Sequence, residues 1–304
     1  MSGSPRSRAT LTGFGAVLLW ALLALLTVWS GAVPPFQLNA ICFAIGAASG
    51  AVWMAATGTP VAVFRQRPAI WALGVFGLFG YHFFYFTALR NAPPAEAGLI
   101  AYLWPLLIVL FSGLLPGERL RPLHLLGAAT ALAGAALILT RDGAAFASGD
   151  APGLALGYAA AAICALTWSG YSVLSRRFGG TPTAVVTGFL AVAAVLSAVC
   201  HLAFERTIWP ADAVEWAAVA GLGLGPVGLA FYLWDVGVKR GDIQLLGTAS
   251  YAAPLLSTLA LAAAGLARPT ASLALAALLI AGGAALAATA SRRVRAVSGS
   301  STAG

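Results

Sequence analysis

Apolar residues run through the sequence in blocks of about twenty, the length a helix needs to cross the hydrocarbon of a bilayer. Short clusters of proline, glycine or charge separate them, among them Pro34-Pro35, Arg65-Gln66-Arg67-Pro68, Pro93-Pro94 and Pro116-Gly117-Glu118-Arg119. Such residues end helices, so the pattern predicts ten, over 11–30, 36–57, 69–91, 93–115, 123–140, 152–175, 182–204, 213–237, 242–264 and 270–290. The expected fold class is an all-α integral membrane protein. An even number of crossings returns both termini to one side.

Of the 304 residues, 60% are hydrophobic and 9% charged, against roughly 25% charged in a typical soluble domain. A water-soluble enzyme and a disordered chain are both excluded. The net charge of +8 would suit nucleic acid, yet the basic residues come in pairs between apolar runs, without interleaved aromatics. Such pairs are the cytoplasmic anchors of membrane spans. With the N-terminus in the cytoplasm, the inner segments hold Arg6, Arg8, Arg65, Arg67, Arg119, Arg121, Arg176, Arg177, Lys239, Arg240, Arg292, Arg293 and Arg295. The outer segments hold Arg90, Arg141, Arg206 and Arg268, so thirteen of the 17 basic residues fall inside. Both termini are therefore expected in the cytoplasm and the chain in the inner membrane. The apolar stretch from Leu11 exceeds the roughly 7–15-residue core of a signal peptide, so the first helix is read as retained. Cys42, Cys164 and Cys200 lie in apolar runs without CxxC spacing and read as small core residues.

A shift of 149 residues superposes Gly98, Tyr102 and Pro105 on Gly247, Tyr251 and Pro254, and Arg90 on Lys239. Trp20 lies 148 residues before Trp168. Each half holds five spans, an odd number, so the second half starts on the opposite side of the membrane. The domains expected are two inverted five-helix repeats, 11–140 and 152–290, with cytoplasmic tails at 1–10 and 291–304. Inverted repeats are a hallmark of secondary transporters, which expose a midplane site to alternate sides. The alternative is a duplicated membrane scaffold without a transport role.

No phosphate-cradling loop accompanies the single lysine, Lys239, so no nucleotide is expected. The Gly-x-Gly-x-x-Gly string at Gly223, Gly225 and Gly228 lies inside a span, where close helix packing and the bend at Pro226 explain it. No Gly-x-Ser-x-Gly elbow accompanies His82, the histidine nearest a span centre. An ionisable group at that depth is costly, and Tyr81 and Tyr85 lie beside it on a helix, so a polar cavity is expected there. Asp235 sits four residues before Lys239 and reads as half of a helix-surface ion pair. Glu96 occupies a first helical turn, where the helix dipole favours it. Trp29, Trp53, Trp71, Trp209 and Trp216 fall near span ends, as an interfacial belt requires, whereas Trp20, Trp104 and Trp168 fall near span centres. Pro105 and Pro254 each remove a backbone hydrogen bond mid-span, at equivalent positions of the halves, and so mark a binding site and its moving helices. With Gly98 and Gly247 they are the expected hinges. Gly74, Gly77, Gly80, Gly221, Gly223 and Gly225 offer small surfaces on which helices three and eight can slide.

Ten spans in two inverted halves, the mid-helix Trp20, Gly-x-x-x-Tyr-x-x-Pro in helices four and nine, and the Pro-Gly-Glu-Arg turn resemble the EamA branch of the drug/metabolite transporter superfamily. Tyr81-His82-x-x-Tyr85 followed by Tyr102-x-Trp104-Pro105 is similar to the YddG-type aromatic amino acid exporters of that branch. One departure is Trp20-Ala21-Leu22-Leu23, where many relatives carry small polar residues. The resemblance implies a central cavity lined by Trp20, Tyr81, His82, Tyr85, Tyr102, Trp104, Trp168 and Tyr251, with an amino acid as substrate. It implies a monomer in lipid, with no cofactor, metal or nucleic acid. A lipophilic cation is the alternative substrate, since aromatic walls attract cations, and an intramembrane lipid enzyme is a third reading.

Overall fold

The computed structural model describes residues 4–140, 153–266 and 270–300. Arg141 and Arg268, counted above, lie outside the described residues, as do the side chains of Arg292, Arg293 and Arg295. Ten helical crossings follow one another, with no strand among the described residues. They are α1 (Pro5–Trp29), α2 (Pro35–Ala56), α3 (Pro68–Asn91), α4 (Pro94–Ala101 continued by Trp104–Ser112) and α5 (Pro122–Leu139). The second half comprises α6 (Leu154–Arg177), α7 (Val185–Phe204), α8 (Ala213–Arg240), α9 (Ile243–Ala263) and α10 (Ala271–Ser300). Nine are long and apolar enough to cross a membrane, and α4 is the shorter apolar member.

The two halves start their helices differently. In the first, Pro5, Pro35, Pro68, Pro94 and Pro122 each open a helix; there the missing N–H is no loss and φ is preset. In the second, the Asp212 carboxylate accepts the amides of Val214 and Glu215 at the head of α8, and Asp242 accepts that of Leu245 at the head of α9. The stretches read as cytoplasmic tails are partly helical. The α1 helix begins at Pro5, with Ser4 accepting the Ser7 amide, and α10 continues to Ser300. Arginines do not break a helix, and past Pro5 no proline interrupts either stretch.

The packing reveals the symmetry. The α1 helix lies along α8, and the counterpart pair repeats this, α6 along α3. The α2 helix lies along α7, α4 along α9 and α5 along α10, each against its own counterpart. Two halves related by a two-fold axis in the membrane plane give this arrangement. The 149-residue shift reappears in local detail. A β-carbon at Gly127 would lie 2.6 Å from the Gly283 carbonyl oxygen, and one at Gly134 would lie 2.8 Å from that of Ala276. The shift converts each pair into the other. Both α3 and α8 widen into a π turn, at Phe76–Gly80 and Gly225–Leu229. Both α4 and α9 are broken, after Ala101 and after Ala249, with Pro105 and Pro254 in the first turn beyond. One difference stands out: α1 is interrupted at Leu22, whereas α6 is continuous.

The glycines of α3 and α8 seat these helices on other neighbours rather than on one another. Gly74 lies against Phe189 of α7 and Gly77 against Tyr171 of α6, while Gly223 and Gly228 lie against Ile45 and Gly46 of α2. Trp29, Trp53, Trp209 and Trp216 are exposed near helix ends, but Trp71 turns inward, edge-on to Phe189 at 5.5 Å.

Candidate functional site

Seven of the eight aromatic and imidazole groups singled out above form one connected cluster. Trp20 meets Trp168 at 5.7 Å and Trp104 at 6.2 Å between ring centroids. Tyr81 meets Trp168 at 5.5 Å, His82 at 5.2 Å and, stacked, Tyr85 at 6.1 Å. Tyr102 lies 6.4 Å from Trp104. Trp20 and Trp168 are counterparts in the two halves, and so are His82 and Phe231, whose rings are 6.3 Å apart. A residue that touches its own counterpart lies at the two-fold axis, midway through the bundle. The cluster is centred there.

The π turns shape it. The ring Nδ1 of His82 lies 2.7 Å from the Leu78 carbonyl, inside the widened turn of α3. A carbonyl only accepts, so Nδ1 carries the proton and a neutral ring leaves Nε2 as a free acceptor. In α8 the Trp20 indole donates to the Pro226 carbonyl at 3.1 Å, again inside the widened turn. Each π turn thus offers a carbonyl to a side chain at the axis.

Tyr251 stands apart from the cluster. It is fully buried, and its hydroxyl accepts the Leu106 amide at 3.1 Å, just past the break in α4. Its counterpart Tyr102 is half-buried. The two glycines among the hinge candidates divide in the same way, while Pro105 and Pro254 are both buried. A β-carbon at Gly247 would lie 3.1 Å from the Pro105 carbonyl, while one at Gly98 would meet nothing within 4 Å.

Several rings that touch the cluster carried no mark in the sequence reading, Tyr171 and Phe43 among them, and two of these rings sit on α8. Phe231 touches Trp20, Trp168, His82 and Phe43. Trp234 is wholly buried, 5.1 Å from Trp20, 5.8 Å from Trp104 and 6.1 Å from Trp168, its indole donating to Ser172 Oγ at 3.0 Å. The repeat itself held the signal, because 149 residues separate them from His82 and Tyr85. Identity matching hid it, since the residue types differ.

The acids are more buried than expected. Asp235 and Lys239 do pair, at 2.8 Å, but inside the protein: Asp235 is 1% exposed, accepts Thr183 Oγ1, and shares Lys239 with the Thr181 carbonyl. The i, i+4 spacing fixes a pair without saying which way it faces. Glu96 is also buried, and the Tyr158 hydroxyl donates to it. On the side holding the N-terminus, Glu118 of the Pro-Gly-Glu-Arg turn bridges Arg6 at 3.1 Å and Arg176. Arg176 also donates to the carbonyls of Val238 and Gly241, both at 2.9 Å. The network ties α1, α6, α8 and the α4–α5 turn together at one face. At the opposite face Glu205 accepts the amides of Phe36 and Gln37, and pairs with Arg90 at 3.0 Å and His201. Among the described residues no cluster of histidine, cysteine, aspartate or glutamate is arranged to hold a metal.

Known proteins with this architecture are similar along nearly the whole chain. An aromatic amino acid exporter YddG from Ancylobacter novellus is 58% identical over 288 residues, covering 95% of this chain and 99% of the relative. The YddG of Escherichia coli is 28% identical over 299 residues, covering 95% and 99%. A solved crystal structure superposes with a TM-score of 0.88 at 57% identity, covering 94% of this chain and 99% of that one. The model of the EamA-like transporter family matches residues 7–140 and again 155–289. The protein is an integral membrane protein of ten helices in two inverted repeats, and it belongs to the EamA-like transporter family.

Proposed function

We propose that this protein exports amino acids, aromatic ones favoured, across the inner membrane by alternating access, with both termini in the cytoplasm. The observation that carries this reading is the aromatic and imidazole cluster at the axis between the inverted repeats, 11–140 and 152–290. A substrate held at the axis can face either side when the halves exchange conformations. The thirteen-to-four distribution of basic residues supports the orientation, and the names of the YddG relatives support the substrate class.

The chemistry of the cluster suits a zwitterion. Trp20, Trp104 and Trp168 offer edges and faces to an aromatic side chain. His82 Nε2 accepts from the ammonium, and the hydroxyls of Tyr81, Tyr85 and Tyr102 donate to the carboxylate. No carboxylate belongs to this cluster, which weakens the case for a cationic substrate. Gly98, Pro105, Gly247 and Pro254 let the two pieces of α4 and α9 move. On this reading the outer side is the open one, in keeping with the half-buried Tyr81, His82, Tyr85 and Tyr102. The inner side is held shut by Glu118 and its arginines.

Counterflow into liposomes holding the purified protein tests the reading. Tryptophan and phenylalanine should exchange, and Trp104→Ala or His82→Ala, still inserted, should cut the rate. Undiminished aromatic flux in both variants would reject the site. Lipophilic cations displacing substrate better than tryptophan would reject the substrate class.

A further inference from the structure

The functional reading places the substrate at the axis but says nothing of what it meets on the way in from the cytoplasm. The halves differ there in an informative way. On α3, the segment facing the outer side carries Tyr81, His82 and Tyr85, all half-buried. The counterpart positions on α8 carry Ala230, Phe231 and Trp234, which are 0%, 4% and 0% exposed. When two inverted repeats exchange conformations, each counterpart segment takes over the environment of the other. The α8 segment must then become the half-open wall of the inward-facing state.

We infer that Phe231 and Trp234 form an aromatic subsite for the substrate side chain on the cytoplasmic side, exposed only when the protein faces inward. The inference rests on the alternating-access reading above. Trp234 is placed for this role. It lies one helical turn toward the cytoplasm from Phe231, stacked on Trp168 at 6.1 Å with planes 23° apart. Its ring fills space that a substrate ring entering from below would share with Trp104 and Trp168. The indole N–H is held by Ser172 Oγ, a hydroxyl that keeps the ring oriented without adding charge. The two walls also differ chemically. The outer wall carries two hydroxyls and an imidazole, whereas the inner wall carries a methyl, a phenyl and an indole. An aromatic side chain therefore gains more, relative to a small one, on the inner wall than on the outer.

The test compares the two faces of the membrane. Uptake into inverted vesicles reads the cytoplasmic face, and uptake into right-side-out vesicles reads the outer face. In Trp234→Leu, the ratio of cytoplasmic-face to outer-face KM for tryptophan should rise about tenfold, the factor one aromatic contact is worth. The same ratio for alanine should stay within about twofold, because alanine cannot use the subsite. Tyr85→Leu should move the tryptophan ratio the other way, and Trp234→Phe should restore most of the normal value. If Trp234 only packs the closed state, its loss shifts the ratios for tryptophan and alanine together, and that outcome overturns the inference. Equal KM changes at both faces overturn it as well. Should the unaltered protein take up no aromatic amino acid from either face, the functional reading itself fails. If Trp234→Leu does not insert, Phe231→Leu supplies the same comparison, and unchanged ratios there reject the subsite.

Discussion

The two halves share one plan and yet are caught in different circumstances. Gly98 of α4 and Gly247 of α9 are counterparts, but only Gly247 is pressed against a backbone carbonyl, that of Pro105. Tyr102 and Tyr251 are counterparts, but only Tyr251 is sealed, its hydroxyl occupied by the Leu106 amide. The α1 helix is interrupted at Leu22 where α6 runs straight through. The first two differences point the same way: contacts made on the side holding the N-terminus are not made on the opposite side. On the proposed alternating-access reading both sets cannot be satisfied at once, and the asymmetry reports the state rather than the design.

The comparison can be broken most severely at Gly98. Its β-carbon site is empty now, so Gly98→Val should insert and melt normally. Closure of the outer side would bring it onto the Pro254 carbonyl, as Gly247 now meets that of Pro105. Counterflow should fall more than tenfold; normal exchange would contradict the symmetry argument. His82→Phe makes α3 resemble α8 at the axis and removes the acceptor for the ammonium. The KM for tryptophan should rise about tenfold while His82→Gln, which keeps an acceptor, rises less. Glu118→Gln weakens the network that, on the proposed reading, holds the cytoplasmic side shut, a bias of about 1.5–3 kcal/mol. A cysteine introduced as Ser175→Cys in a background without Cys42, Cys164 and Cys200 should then react several-fold faster with a maleimide applied from that side. The smallest effect is expected at Gly170, which aligns with Leu22 and has open space at its β-carbon. Gly170→Ala should stabilise the continuous α6 by about 0.5–1 kcal/mol, read as a rise in melting temperature. No rise would mean α6 is not held straight in the resting state.

Much of this was legible in the residues alone, and the reasons are physical. Span length follows from bilayer thickness, so the ten helices stood out, with ends misjudged by most where arginines prolong a helix beyond the hydrocarbon and by about three residues at the end of α4 and the start of α7. The repeat was visible because proline, glycine and tyrosine at Gly98-x-x-x-Tyr102-x-x-Pro105 are not interchangeable with their neighbours. The pairing of Asp235 with Lys239 was readable from spacing, but its burial depends on Thr181 and Thr183, more than fifty residues away. Glu118 likewise finds Arg6 and Arg176 only once the bundle closes. Phe231 and Trp234 escaped notice because the repeat conserves position in space rather than residue type. Helix widening at Phe76–Gly80 and Gly225–Leu229 leaves no compositional trace beyond its glycines and, in the second half, Pro226.

On the proposed reading, the two rings that meet as counterparts at the axis, Trp20 and Trp168, have a consequence for how such a molecule could diversify. Being equidistant from both solutions, they would influence influx and efflux alike, so that alterations there would change which cargo is carried without tilting the direction. Side chains one turn away on either side would do the opposite. Selectivity and rectification would then rest on separate residues, and each could drift without dragging the other along.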